Sequence, residues 1–179
     1  MSVRHLHRMR LIGEPPPAPG TAGVAVRGYA AERDHTRIPL VYAAAFGEPP
    51  WPDDWDRFAA FDPRGVFVAE ERAAGEAVGF VTSFGRGDFG YVGVLAVVPG
   101  WRRRGVARAL LRTAVVYLRS LGPDAVEVDA FVDARPAVVL YRACGFEVIR
   151  TYADPEAEPD AAAAGPSSRS AAPDGAQGG

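Results

Sequence analysis

The chain has 179 residues, 48% of them hydrophobic, with 20 arginines and no lysine, 22 Asp plus Glu, one cysteine and a formal net charge of −2. That length suits one domain of about 100–200 residues, no stretch reaches the roughly 18 consecutive apolar residues of a membrane-spanning helix, and no apolar core follows the basic residues 1–10, so neither a membrane span nor a secretory signal is expected. A lone Cys144 excludes an internal disulfide and three histidines offer few metal ligands, so a reducing compartment, most simply the cytosol, and no metal are expected.

In chain order, residues 1–12 form a short basic segment, and residues 13–23 (GEPPPAPGTAG) a stiff Pro/Gly-rich connector. Val24 and Val26 alternate as a first strand, and Ile38, Val41, Tyr42, Ala45 and Phe46 recur at helical spacing before Gly47, with Pro39 in the first turn. Residues 53–61 read as a short second helix opened by Pro52, Asp53 and Asp54; residues 65–71 and 77–84 read as a strand pair. An apolar strand over 91–98 precedes the strongest helix, 105–121, whose Val106, Ala109, Leu110, Thr113, Ala114, Tyr117, Leu118 and Leu121 keep one face. A strand over 125–132, a helix over 136–144 ended by Gly145, and a strand over 146–152 follow. After Tyr152 no large apolar residue remains, and residues 153–179 carry five acids against one arginine, so this tail is expected to be disordered. The folded domain is then 24–152, with 19 arginines against 17 acids in the chain once the tail is set aside. That is too small an excess for a nucleic-acid footprint.

The most informative segment is the passage from strand 91–98 through Pro99, Gly100 and Trp101 into Arg102, Arg103, Arg104, Gly105, Val106, Ala107 and Arg108. A helix start offers unpaired N–H groups and the positive end of the dipole, and glycine admits a bulky phosphate. Between Asp88 and Asp124 stand six arginines and no acid, which suits a ligand with several phosphates. The plainer alternative is a solvated helix face with a basic first turn. Residues 85–90 also spell G-x-G-x-x-G, but a strand and not a helix follows, so the match reads as a loop between strands and not as a dinucleotide site.

The combination Arg102, Gly105 and Ala107, the preceding 94–99 (VLAVVP) and the later 137–146 (AVVLYRACGF) resembles the GNAT superfamily of CoA-dependent N-acetyltransferases. The resemblance covers about residues 24–152. It implies a single three-layer α+β domain with a splayed central sheet, mixed and covered by helices on both sides. It implies that backbone groups at Leu95, Ala96 and Val97 hold the pantetheine and thioester of acetyl-CoA. It also implies that Arg102 to Arg108 hold the pyrophosphate and that Tyr141 protonates the leaving thiolate. Two departures accompany it: Ala134 stands where the family often has asparagine, and apolar sequence ends before a seventh strand. The exposed sheet edge is expected to be covered by a second subunit or by Met9 to Ile12. Residues 136–141 are also similar to the aminoglycoside 3-N-acetyltransferase branch.

Acetyl transfer to an amine requires a neutral amine, oxyanion stabilisation and a proton for the thiolate. Tyr141 shares a helix face with Ala137 and Cys144, so a plain core tyrosine is the rival reading, and Cys144 reads as a buried small hydrophobe. For the base, Asp129 and Asp133 alternate on one side of strand 125–132. Asp133 at the strand end is preferred, with Asp129, Asp88, Glu70 and Glu48 open and a solvated surface acid the plain reading of each. Residues 48–56 gather four acids and two tryptophans, so Glu48, Trp51 and Asp53 are expected to receive a cationic, aminoglycoside- or polyamine-like acceptor. Ordinary helix opening and packing is the alternative there. The partner is thus a small-molecule amine, with no nucleic acid, no membrane and a homodimer as an option. The rival function is a non-catalytic CoA-binding or interaction module.

Overall fold

A computed structural model of the chain describes residues 3–15, 17, 20–47 and 62–154. Its strands are β1 (His5–Leu11), β2 (Val24–Gly28), β3 (Val66–Glu71), β4 (Ala77–Arg86), β5 (Phe89–Val97), β6 (Ala125–Phe131) and β7 (Phe146–Ala153). The helices are α1 (Ala31–Asp34), α2 (Arg37–Phe46), α3 (Val106–Ser120) and α4 (Arg135–Ala143). The seven strands form one sheet in the order β2-β3-β4-β5-β6-β1-β7. Among the described strands only β5 and β6 run parallel; α3 is the crossover between them, as a parallel neighbour requires.

The sheet separates two apolar layers. Leu110, Leu111, Ala114, Val115 and Leu118 on α3, with Val138 and Tyr141 on α4, pack with Met9, Val81, Val92 and Val128 on one face. Ile38 and Val41 on α2 pack with Val66, Val68, Phe80 and Ala96 on the other. The elements expected over 24–152 thus occur within a residue or two at most ends, and 85–90 is the β4–β5 hairpin, turned by Gly87 at φ 61° and Asp88. The helix expected over 53–61 and the tail from 155 onward lie outside the described residues.

The N-terminal boundary differs from expectation. Residues 1–12 read as a basic segment outside the domain, yet β1 lies inside the sheet, antiparallel to β6 on one side and to β7 on the other. It supplies the seventh strand that the C-terminal sequence lacks, and it occupies an interior position where an edge cover was expected. The physical reason is the alternation that its arginines conceal: Met9 and Leu11 turn into the core, while Arg8 and Arg10 turn to the opposite face and meet Asp129 and Glu127. The connector is also less free than expected, because Arg112 donates to the Pro15 carbonyl and Arg119 binds Glu14 and the Gly13 carbonyl, fastening residues 13–15 along α3.

Met9 is fully buried, so Met9→Ala should cost about 2–5 kcal/mol in urea unfolding, and deletion of residues 1–12 should abolish the cooperative transition. Unchanged unfolding in either variant would remove β1 from the sheet.

Candidate active site

The site begins with an interrupted ladder. The β5–β6 pairing runs from Phe89–Ala125 to Val92–Val128 and stops there. On its other edge β5 carries a bulge: Val81 pairs with Leu95 but Ser83 with Val92, so Gly93 and Val94 together oppose Thr82. The Thr82 hydroxyl takes the Val94 N–H at 2.9 Å, which stabilises the bulge from β4. A bulge bends and twists its strand, and β5 leaves β6 at that point. A Cβ on Gly93 would lie 2.6 Å from the Thr82 hydroxyl, so only glycine fits the bend.

Backbone direction in the opening follows from alternation. Val94 and Val98 direct their N–H groups toward β4, and the Ala96 carbonyl points the same way, against Gly79. Leu95 and Val97 therefore turn their polar groups toward the opening. The Val97 carbonyl is already engaged by Arg102 Nε at 3.0 Å. Of the three expected contacts on this strand, Leu95 and Val97 face the gap, whereas Ala96 is buried against α2.

The chain leaves β5 through a short turn at Pro99–Trp101 and enters α3 with Arg103 at φ 63° and Gly105 at φ 82°. Arg103 is the one non-glycine residue at positive φ among the described residues, a conformation that costs an L-residue about 1–2 kcal/mol. The first bond of the helix runs from the Ala109 N–H to the Gly105 carbonyl, and no side chain caps the end. The N–H groups of Val106, Ala107 and Arg108 thus open the helix free of intrahelical partners, with no acid in the first turn. Successive amides in such a turn make an anion-binding concavity.

The arginines divide by task. Arg102 spends two nitrogens on the carbonyls of Val97 and Ala45, tying the end of α2 to the end of β5. Arg104 stacks on Trp101 at 4.8 Å. Arg103 is exposed and has no partner among the described residues, and Arg108 lies near enough to Cys144 to oppose the rise that burial imposes on that thiol. Arg103, Arg104 and Arg108 can therefore meet phosphate oxygens, while Arg102 shapes the loop.

Arg108 also brings the start of α3 beside the end of α4, where Tyr141 and Cys144 are both buried. Tyr141 packs against Phe146 with ring centroids 5.8 Å apart. Burial pushes its phenol above the ordinary range, so it stays protonated, and its hydroxyl has no hydrogen-bond partner among the described residues. A buried donor without an acceptor favours any acceptor that enters.

The carboxylates separate likewise. Asp133 stands after β6 with its side chain 70% exposed, 3.4 Å from Arg4. Glu70 is held below the usual carboxylate range by Arg27, and Asp88 is exposed in the hairpin turn. Asp129 lies at the point where the strands part. Burial alone would raise its carboxyl, but hydrogen bonds from Arg8, Tyr152 and Tyr91 outweigh that and hold it low. Glu48, Trp51 and Asp53 lie outside the described residues. Sequence reasoning missed Thr82, Gly93, Tyr91 and Arg8; the isolated Gly93 within an apolar strand is the signal that could have disclosed the bulge. Among the described residues no cluster of three metal-ligating side chains occurs, and no helix is long and apolar enough to cross a membrane.

A sequence profile described as "Acetyltransferase (GNAT) family" matches residues 32–146. Mycothiol acetyltransferase of Stackebrandtia nassauensis is 33% identical over 155 residues, which cover 80% of this chain and 49% of that protein. The protein of the same name from Mycolicibacterium smegmatis is 33% identical over 159 residues, covering 82% and 54%. The chain thus spans about half the length of the curated relatives it matches. Among solved structures, a GCN5-related N-acetyltransferase from Sphaerobacter thermophilus superposes with a TM-score of 0.73 at 29% identity, covering 84% of this chain and 50% of that one. The profile match across most of the described domain, the parted strands and the uncapped arginine loop agree: the chain belongs to the GNAT acetyltransferase family.

Proposed function

We propose that the chain transfers the acetyl group of acetyl-CoA to a primary amine of a small, cationic acceptor by direct attack, without a covalent enzyme intermediate. The observation that carries this reading is the alignment of the β5–β6 opening with the uncapped start of α3. The Leu95 and Val97 N–H groups, the first-turn amides and Arg103, which has no partner among the described residues, present donors to one polyanionic, extended ligand. These residues fit CoA, whose thioester supplies the activated acyl group.

In the reaction the amine nitrogen bonds to the thioester carbonyl carbon, the carbon–sulfur bond breaks, the nitrogen releases one proton to solvent, and the thiolate takes one from an acid that solvent reprotonates. An N–H aimed into the gap, as at Leu95, suits the developing oxyanion. Tyr141 suits the proton donor, being neutral, buried and without an acceptor among the described residues. Asp133, solvated and paired with Arg4, has less support as the base than its place at the strand end suggested. The curated relatives carry the name mycothiol acetyltransferase; for this chain an amine on an aminoglycoside- or polyamine-like molecule is the class proposed, on the acids of residues 48–56.

The test is release of free thiol from acetyl-CoA with spermidine, kanamycin, glucosamine, aniline and alanine. The cationic amines should be turned over with the higher kcat/KM. Tyr141→Phe, which keeps the packing volume, should lower kcat about tenfold or more with CoA affinity unchanged. Binding of CoA without acetylation of any amine would favour a non-catalytic module.

Arg103→Gly separates binding from stability. Relief of the left-handed backbone should leave the protein as stable or about 1 kcal/mol more so, while loss of one charged donor should weaken CoA binding about tenfold. Titration calorimetry and urea unfolding on the same variant measure both, and unchanged CoA affinity would free Arg103 of this role.

A further inference from the structure

The face of the sheet opposite α3 carries a polar cluster where β5 and β6 part. Val92–Val128 is the last pair of that ladder; Tyr91 precedes it on β5 and Asp129 follows it on β6. Val92 belongs to the α3 core, and a Cβ on Gly90 would strike Leu118 of α3 at 2.7 Å. Tyr91, between them, therefore projects to the other face. Its hydroxyl donates to Asp129 Oδ2 at 2.8 Å, bridging the two strands at the root of the opening.

The cluster fixes which way the phenol presents itself. Arg8 grips Asp129 with two bonds, Nε to Oδ1 at 2.6 Å and Nη2 to Oδ2 at 2.7 Å. An ionised carboxylate is acceptor-only, so the one hydrogen of Tyr91 is committed to it. Two lone pairs remain on the phenol oxygen, and no donor among the described residues reaches them. Phe84 flanks the ring at 5.3 Å and Arg86 covers it at 4.9 Å, which hold its plane. The result is a rigid hydrogen-bond acceptor, with its donor locked away, at the junction of the strands.

We propose that Tyr91 positions the acceptor amine: its phenol oxygen accepts one N–H of the attacking nitrogen, and Asp129, gripped by Arg8 of the inserted β1, keeps that oxygen in the accepting orientation. This rests on the acyl-transfer reading above and names the group on this chain that recognises the amine. An amine bonded in this way keeps its lone pair for the thioester carbonyl. Tyr91 acts here by orientation and not as a base, since burial and then Asp129 keep the phenol protonated. Tyr152, whose hydroxyl accepts from Arg8 Nη2 at 3.3 Å, serves as a control because it belongs to the same network.

The experiment measures steady-state kinetics of thiol release with spermidine, kanamycin and glucosamine for the wild-type chain, Tyr91→Phe and Tyr152→Phe. In Tyr91→Phe the ring stays and Asp129 keeps both bonds from Arg8, so the variant should fold with a modestly lowered melting temperature for the lost hydroxyl bond, and the KM for acetyl-CoA should match wild type. The KM of the best amine should rise about tenfold, with a smaller change in kcat, and Tyr152→Phe should leave the amine KM within about twofold of wild type. Wild-type amine KM in Tyr91→Phe overturns the proposal. Equal rises in both variants assign the effect to packing of the network and overturn it too. A wild-type chain that acetylates none of the three amines overturns the acyl-transfer reading, and this proposal with it.

Discussion

The parallel ladder between β5 and β6 ends after Val92–Val128, and the proposed site is arranged around that ending. Two strands that stay paired have no backbone groups to offer; two that separate leave a row of N–H and C=O groups that must be satisfied by something else. The separation is built locally. Gly93 and Val94 take the place of one residue opposite Thr82, the threonine hydroxyl occupies the extra amide, and β5 turns away from β6 while remaining bonded to β4. The gap is therefore rigid on the β4 side and open on the other, a geometry suited to an extended ligand lying along a strand edge.

Around that gap the arginines fall into two populations. Arg8 and Arg27 are paired with carboxylates in low-exposure clusters and the exposed Arg10 with the buried Glu127; Arg102, Arg112 and Arg119 cross-link backbone carbonyls. They hold strands, helices and connector in place. Arg103, Arg104 and Arg108 at the start of α3 lie beside amides that lack intrahelical partners. The same residue type thus serves as clamp where its fork meets a carboxylate or carbonyl, and is left able to receive an anion where no carboxylate or carbonyl among the described residues takes its fork.

Much of this was legible in the sequence, for a physical reason. Apolar periodicity marks α3 and α4, and Gly105 two residues before the small Ala107 marks a helix start that a phosphate can approach, because both signals are local. β1 was not legible as an interior strand. Its core-facing residues are only Met9 and Leu11 in full burial, and its other face carries arginines whose partners, Glu127 and Asp129, stand over a hundred positions away. A charge buried by pairing looks like a solvated charge until the partner is known. The same holds for Tyr91 and Asp129, separated by 38 positions and joined only by the pairing of β5 with β6. For Arg102, composition indicated charge but not that two backbone carbonyls already claim it.

The most direct measurement of the account is amide hydrogen exchange along β5 in the free chain and with saturating CoA. If the strands part after Val92, the amides of Leu95 and Val97 exchange much faster than those of Val94 and Ala96 in the free chain, though all four lie in one strand. On CoA binding the first two should slow by about tenfold or more, with the second two nearly unchanged. Uniform protection across Val94 to Val97 in the free chain, or no response of Leu95 and Val97 to CoA, would contradict the open strand edge as the seat of binding.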